Sequence, residues 1–500
     1  MASFLSLNRF LYVFVFVVGT GTLGAEIAAA RLLAPFFGAS TIVWANTIGV
    51  VLIALSLGYW LGGRLADRYP HLRGMCLVVL VAATLLAIVP FLARPLFDLS
   101  VEALDQIEAG AFIGSLFGVL FLIALPVLLL GAVAPYAIRL AVPDVQHSGR
   151  VAGRLYAIST AGSLLGNWVS ALVLIPLIGT QRTFVTFAAV IALVAAAGLG
   201  WRYLAVPVAL AGVLAIPVGT VKATENGRVI FETETEHQYV RVVEREGGER
   251  LLELNEGQAV HSLYRPHSVL TDNVWDGYLV LPFAALERPP ARIAILGNAA
   301  GTTARAYGEF FPETRVDGVE IDAELSEVGR RYFDMDNPKL TVHHDDARPW
   351  LRRTDGRYDV IMVDAYRQPY IPFYLTTREF FELARQRLAP GGAVIVNAGH
   401  PEGNYDLERV LGATMAAVFG TVLRDPIEDT NTLLLGTDGE ASAERLRAAI
   451  PKLPAELRPI AATEAGKLGP RLPGGEIYTD DKAPVEWLID RSILGYAAER

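Results

Sequence analysis

The chain has 500 residues, 52% of them apolar and 19% charged, and its mean hydropathy is positive. That is too apolar for an ordinary soluble enzyme and excludes disordered, collagen-like and coiled-coil chains. Charge is unevenly divided: residues 1–221 hold 11 Arg, no Lys and 7 acids, whereas the remainder holds 32 bases against 45 acids. The acidic second part would repel a phosphate backbone, so the expected partner is a neutral or cationic small molecule and not a nucleic acid. Cys76 is the single cysteine, which forbids an intrachain disulfide and a thiolate metal cluster; no metal is expected.

Residues 1–221 read as a membrane domain. A bilayer span needs about 20 apolar residues, and seven runs qualify, near 10–37, 41–62, 74–97, 110–138, 155–179, 183–200 and 203–221. The segments 64–73 and 139–154 each carry three Arg, while 98–109 carries four acids and no base, so the first two loops are expected on the cytosolic side. Counting from there, seven crossings would deliver residue 222 to the opposite side, in conflict with a C-terminal domain expected in the cytosol. Glu26 and Arg31 lie inside the first run, where a charge marks either a polar site or a packing contact. The tract from Gly58 to Arg68 resembles a loop of major facilitator transporters, which leaves transport open.

From residue 222 the pattern changes to short alternating strands. Gln238 to Glu244 and Leu251 to Leu254 predict a small antiparallel β unit over 222–285. Strands follow at 292–297, 315–321, 340–344, 357–364, 392–397, 421–425 and 431–436. Helices fit near 301–311, 323–333, 376–388 and 404–418, which predicts a largely parallel sheet over 286–437 with helices on both faces. Residues 438–500 form a C-terminal extension, rich in Ala, Pro and Gly up to 475.

The first of these parallel strands runs into Gly297-Asn-Ala-Ala-Gly301, where small residues let a ligand approach the backbone at the start of a helix. The next strand ends at Glu320 and Asp322, where a ribose diol would find a two-oxygen acceptor. Asp345 and Asp346 end the third strand and Asp364 ends the fourth. Each of these acids could instead cap a helix or a turn, Asp322 and Asp345 more readily than Glu320, Asp346 and Asp364.

Residues 227–436 resemble the spermidine synthase family of polyamine aminopropyltransferases, and the whole chain resembles bacterial proteins that fuse a membrane domain to such a module. The resemblance rests on Leu254-Asn-Glu-Gly-Gln258, Gly297 to Gly301, Val319 to Asp322, Asp345 to Ala347, Val363 to Tyr366, Leu375 to Phe381 and Leu388 to Gly392. It implies a Rossmann-like fold of the class I methyltransferase type and, as cofactor, decarboxylated S-adenosylmethionine or S-adenosylmethionine itself. By position, Glu320 would hold the ribose hydroxyls, Asp346 with Ala347 the adenine, Gly297 and Gly301 the turn beneath the cofactor, and Gln258 would approach from the β unit. Asp364 falls at the proton acceptor. A membrane-anchored aminopropyltransferase of the bacterial cell membrane, acting on a small amine, is the function implied; the resemblance also admits a homodimer.

Three positions depart from the family pattern. Ala300 stands where an Asp usually pairs with the cofactor amine, Arg367 where a second Asp usually binds the polyamine, and Thr376 where an aromatic is usual. Tyr366, Tyr370 and Tyr374 could line the acceptor pocket with Arg367. These departures keep two alternatives open: methyl transfer from S-adenosylmethionine on the same fold, and a non-catalytic sensor or transporter of adenosyl ligands or polyamines.

Overall fold

The computed structural model describes residues 2–37, 41–107, 111–142, 144–215, 227–255, 260–366 and 371–489. It divides into two compact units, Met1–Ala223 with Thr233–Tyr239, and Thr224–Glu232 with Val240–Arg500.

The first unit is helical. Five stretches are long and apolar enough to cross a bilayer: Leu7–Ala34, Val43–Arg68, Leu72–Ala93, Ala124–Ala141 and Ser148–Leu199. The last spans 52 residues and is interrupted by a π-turn at Ser170–Leu174 and by Gly179 in the left-handed region (φ +78°). It therefore takes in the two sequence runs at 155–179 and 183–200. The final run continues only as a shorter apolar helix within Trp201–Val213. Small residues bring the helices into contact: a Cβ on Gly162 would lie 2.2 Å from the Phe16 carbonyl oxygen, and one on Gly166 would lie 2.0 Å from that of Thr20. Where backbones approach this closely, hydroxyls can bond across, as Ser170 Oγ donates to Gly24 O at 2.9 Å. Arg31 donates to the carbonyl of Glu236, and Thr180 donates twice to the Glu234 carboxylate, at 2.7 and 2.6 Å.

The second unit holds two sheets. Strands β1 (Arg228–Glu234), β2 (Tyr239–Glu244), β3 (Arg250–Leu254) and β4 (Val260–Tyr264) form a four-stranded sheet in that order, antiparallel along β2–β3–β4. The larger sheet comprises β5 (Arg292–Leu296), β6 (Arg315–Glu320), β7 (Leu340–His344), β8 (Tyr358–Val363), β9 (Leu388–Gly399), β10 (Thr421–Glu428), β11 (Asn431–Thr437) and β12 (Gly469–Pro470). Its order is β12-β10-β11-β9-β8-β5-β6-β7. The pairs β7–β6, β6–β5, β5–β8 and β8–β9 are parallel, while β9–β11, β11–β10 and β10–β12 are antiparallel. The sheet is thus mixed: the parallel part runs from β7 to β9, and the tight connection at residues 429–430 turns β10 and β11 into a hairpin, which forces the reversal.

The β8 strand is buried throughout, in keeping with its apolar run Val360-Ile-Met-Val363, and the buried Asp359 before it accepts from the Ala291 N–H at 2.7 Å. Helices Ala443–Ala449 and Leu457–Lys467 bury Leu446, Leu457 and Ala461 in the same core as Ile293, Ile295 and Val360. Residues beyond 437 therefore add packed helices and an edge strand to this unit.

Candidate active site

Register sets the site. Leu296 pairs with both Val319 and Val363, and Glu320 pairs with His344, so the carboxyl ends of β5, β6, β7 and β8 finish along one edge. From β5 the chain proceeds to β6 and β7 on one side and returns to β8 on the other, and the crevice at such a reversal is where open α/β sheets bind ligands. The next residues along that edge are Gly297, Glu320, Asp345 and Asp364.

Gly297 has φ +93°, and a Cβ there would lie 2.5 Å from the Asp364 carbonyl oxygen, so only glycine fits where this turn meets the end of β8. Gly301, at φ +85°, opens helix Thr302–Phe310. Ala299 between them also takes a positive φ of 44°, an uncommon conformation for a residue with a side chain, and its N–H donates to Glu320 Oε2 at 2.9 Å. Glu320 Oε1 accepts from the Asp322 N–H at 3.0 Å. Asp322 in turn caps helix Ala323–Tyr332. Burial pushes the Glu320 carboxyl up to about 7 despite these donors, so near neutral pH this group sits between its two charge states. Ala300 is buried and donates its N–H to Ser262 Oγ at 3.0 Å, which ties the glycine turn to β4.

Asp346 caps the short helix Ala347–Arg353, its Oδ1 accepting from the Arg348 N–H at 3.0 Å. Its second oxygen accepts the Tyr374 hydroxyl at 2.7 Å. Ala347 is half-buried beside it. Tyr374, one of the tyrosines expected at the acceptor pocket, thus bonds to the carboxylate expected at the adenine.

Asp364 is half-buried, and its two oxygens accept from neutral donors: Trp275 Nε1 at 3.2 Å and Asn397 Nδ2 at 3.0 Å. Desolvation raises the carboxyl above its ordinary value, and these two hydrogen bonds oppose the rise. Tyr366 lies on the same side, donating to the Asn397 carbonyl at 2.6 Å and accepting from the Gly399 N–H at 2.8 Å. Among the described residues, two buried polar atoms here have no hydrogen-bond partner: Asn397 Oδ1 and the Tyr278 hydroxyl. Both can accept, so this neighbourhood suits a ligand rich in N–H donors.

Gln258, Arg367 and Tyr370 lie outside the described residues. Thr376 is buried and donates to the Phe373 carbonyl at 2.6 Å. Trp275, Tyr278 and Asn397 are site residues that sequence reasoning missed. The signal available was Val274-Trp-Asp-Gly-Tyr278, two aromatics four and one residues into a helix just ahead of the glycine turn.

The edge is therefore that of a mixed α/β sheet with acids at the ends of β6, β7 and β8, at the reversal of strand order where such sheets bind ligands. Residues 280–424 match the spermine/spermidine synthase domain. That match covers 145 of the 500 residues.

It is 31% identical over 293 residues to a protein of Bifidobacterium longum named "Probable polyamine aminopropyl transferase", covering 53% of this chain and 64% of that one. It is 36% identical over 152 residues to a polyamine aminopropyltransferase of Vibrio vulnificus, covering 29% of this chain and 50% of that one. A polyamine aminopropyltransferase of Corynebacterium efficiens is 27% identical over 444 residues, 81% of this chain and 80% of its own. That match is too long to lie within the second unit alone and extends into the helical one. The chain spans between half and two-thirds of the length of the first two relatives.

Proposed function

We propose that this chain is a membrane-anchored aminopropyltransferase of the spermidine synthase type, moving the aminopropyl group of decarboxylated S-adenosylmethionine to a small amine. The observation that carries this reading is Asp364, a half-buried carboxylate at the end of β8 whose hydrogen-bond partners among the described residues are the neutral donors Trp275 and Asn397. When bound, the sulfonium compound supplies an activated carbon. The acceptor nitrogen forms the new C–N bond as the C–S bond breaks, with its electron pair going to sulfur, and the proton shed by nitrogen passes to Asp364. An amine with a pKa of roughly 10 must lose that proton to react, so a carboxylate of raised proton affinity is the useful base here. The residues fit the adenosyl compound: the buried Glu320 offers a two-oxygen acceptor, Asp346 a second acceptor, and the turn Gly297–Gly301 a backbone a ligand can approach. Glu320 and Asp346 would bind and orient it, and orientation accounts for much of the remaining acceleration.

The acceptor need not be a simple diamine, because the position that usually carries the second acid is Arg367. Anchoring in a bilayer is supported by the helical unit, whose exposed positions include Ile53 at 63%, Phe121 at 66% and Val208 at 69%.

A second reading, methyl transfer from S-adenosylmethionine, is admitted by Ala300, which leaves no loop carboxylate to repel the one that cofactor retains. Products decide between them: methylthioadenosine marks aminopropyl transfer, and S-adenosylhomocysteine marks methyl transfer. Asp364→Asn is expected to lower turnover about 100- to 10,000-fold, the range for a general base, while leaving the affinity for methylthioadenosine within about twofold. Full activity in that variant would remove Asp364 from the chemistry.

A further inference from the structure

The segment after residue 477 is tied to the cofactor side of the site by a closed set of bonds. Arg348 directs both arms of its fork at Asp480, at 2.7 and 2.6 Å, and donates from Nη1 to the Tyr374 carbonyl at 3.0 Å. The Tyr374 hydroxyl and the Arg348 N–H then hold the two oxygens of Asp346, at 2.7 and 3.0 Å. On its other side Asp480 Oδ1 accepts from Thr377 Oγ1 at 2.7 Å, and its N–H donates to Glu379 Oε2 at 3.0 Å. The segment is anchored and does not merely lie on the surface. Tyr478, Val485 and Ile489 are buried in the core that contains Leu296, Val319 and Val363, and the Arg378 N–H donates to the Tyr478 carbonyl at 2.9 Å.

We propose that Asp480 is a positioning residue for the adenosyl ligand, acting through Arg348 and Tyr374 to aim the Asp346 carboxylate at the ligand's base. This rests on the adenosyl-ligand reading given above. A bidentate Arg–carboxylate pair fixes both distance and plane. With Asp480 in place the Arg348 charge is directed away from Asp346, and Tyr374 is held at its carbonyl while its hydroxyl reaches Asp346. Without it, the guanidinium keeps, among the described residues, the Tyr374 carbonyl but loses its fixed plane, so the Tyr374 hydroxyl is less firmly placed on Asp346 Oδ2 while the Arg348 N–H still holds Oδ1. An acceptor aimed at an amino group distinguishes adenine from hypoxanthine, which carries a carbonyl at that position. Discrimination between those bases is therefore the property Asp480 controls, and a purely structural contact would leave it unchanged.

The test uses full-length protein in detergent and calorimetry with 5′-methylthioadenosine and 5′-methylthioinosine. Wild type is expected to prefer the adenosine compound. Asp480→Asn should weaken that compound about tenfold, the scale of one charge-assisted bond, and leave the inosine compound within about twofold. Asp480→Glu should restore part of the preference. Arg348→Lys, which keeps the charge but loses the fork, should reproduce the loss and serves if Asp480→Asn does not fold. Unchanged preference in folded Asp480→Asn or Arg348→Lys overturns the proposal while leaving the functional reading intact. Absence of methylthioadenosine binding by wild type overturns both.

Discussion

Among the described residues, the helical unit exposes a long series of large apolar side chains from Val13 to Val208, whereas the second unit exposes only Phe373, Ile477 and Trp487. Their interiors differ in the same sense. Ala25, Ala28, Ala29, Ala82 and Ala83 fill much of the helical core, but Val, Ile, Leu and Phe fill the core around the mixed sheet. Small residues inside and large apolar ones outside suit a solvent that is itself apolar, where close backbone approach rather than expulsion of water holds helices together. Large residues inside with acids at one sheet edge suit water. The charge division runs the same way: the acids at the sheet edge, Glu320, Asp345, Asp346 and Asp364, all lie in the second unit.

One pair of substitutions can break this comparison. Ile53→Arg, within the stretch Val43–Arg68, should cost about 2.5–3.5 kcal/mol if that face meets lipid, seen as loss of folded protein from the membrane fraction. Ile477→Arg, at a position 48% exposed in the second unit, should stay within about 0.5 kcal/mol, as water-facing substitutions usually do. Equal tolerance at both positions would mean that both surfaces face water.

A second prediction concerns the acidic sheet edge. Glu320 is pushed up to about 7 by burial. As an acceptor for hydroxyls it acts best in its charged form, so ligand binding must expel a proton whenever the pH lies below that value. Affinity for methylthioadenosine should therefore be flat well above pH 7 and fall as pH drops through it, approaching tenfold per pH unit. Calorimetry in buffers of different ionisation heats should register the released proton. Glu320→Gln should bind about 10- to 100-fold more weakly at high pH, the value of hydrogen bonds to a charged group, and lose this pH dependence. An unchanged profile in Glu320→Gln would assign the titration to another group.

Much of this edge was legible in the sequence because β6, β7 and β8 each stop at an acid, most plainly in the apolar run Val360-Ile-Met-Val-Asp364. Gly297 and Gly301 were legible for a related reason, as small residues between a strand and a helix. The rest depends on groups that only tertiary structure brings together. Trp275 comes from helix Val274–Val280 and Asn397 from near the carboxyl end of the long β9 strand, and neither is marked as a site residue by its own surroundings in the sequence. The cap at Asp346 was legible only as one of two roles open to a strand-end acid, because its seven-residue helix, Ala347–Arg353, is short and contains Pro349. The reversal at β10 and β11 was present as a short polar connection, but nothing local says that β11 inserts between β9 and β10.

The smallest effect lies where the second unit departs from its own rule and buries charge without pairing it fully. Asp425 on β10 and Glu464 on helix Leu457–Lys467 are both buried, and Lys467 Nζ reaches Glu464 Oε1 at 3.3 Å. Neighbouring Arg424 is committed to Glu408. Burial and the like charge of Glu464 raise the Asp425 carboxyl well above its ordinary value, outweighing Lys467 and Arg424. A carboxyl raised by folding takes up a proton as the chain folds, so its contribution is fully present below the unfolded value of about 3.9 and is lost as pH rises through the folded one. Asp425→Asn removes the titration while preserving shape. It should therefore stabilise the protein at pH 8 by about 1 kcal/mol, a rise in Tm of roughly 2–4 °C, with the difference disappearing toward pH 5. A lower Tm at pH 8 in this variant would show that the two acids hold one another through a shared proton, and that the interior of this unit tolerates charge better than its apolar core suggests.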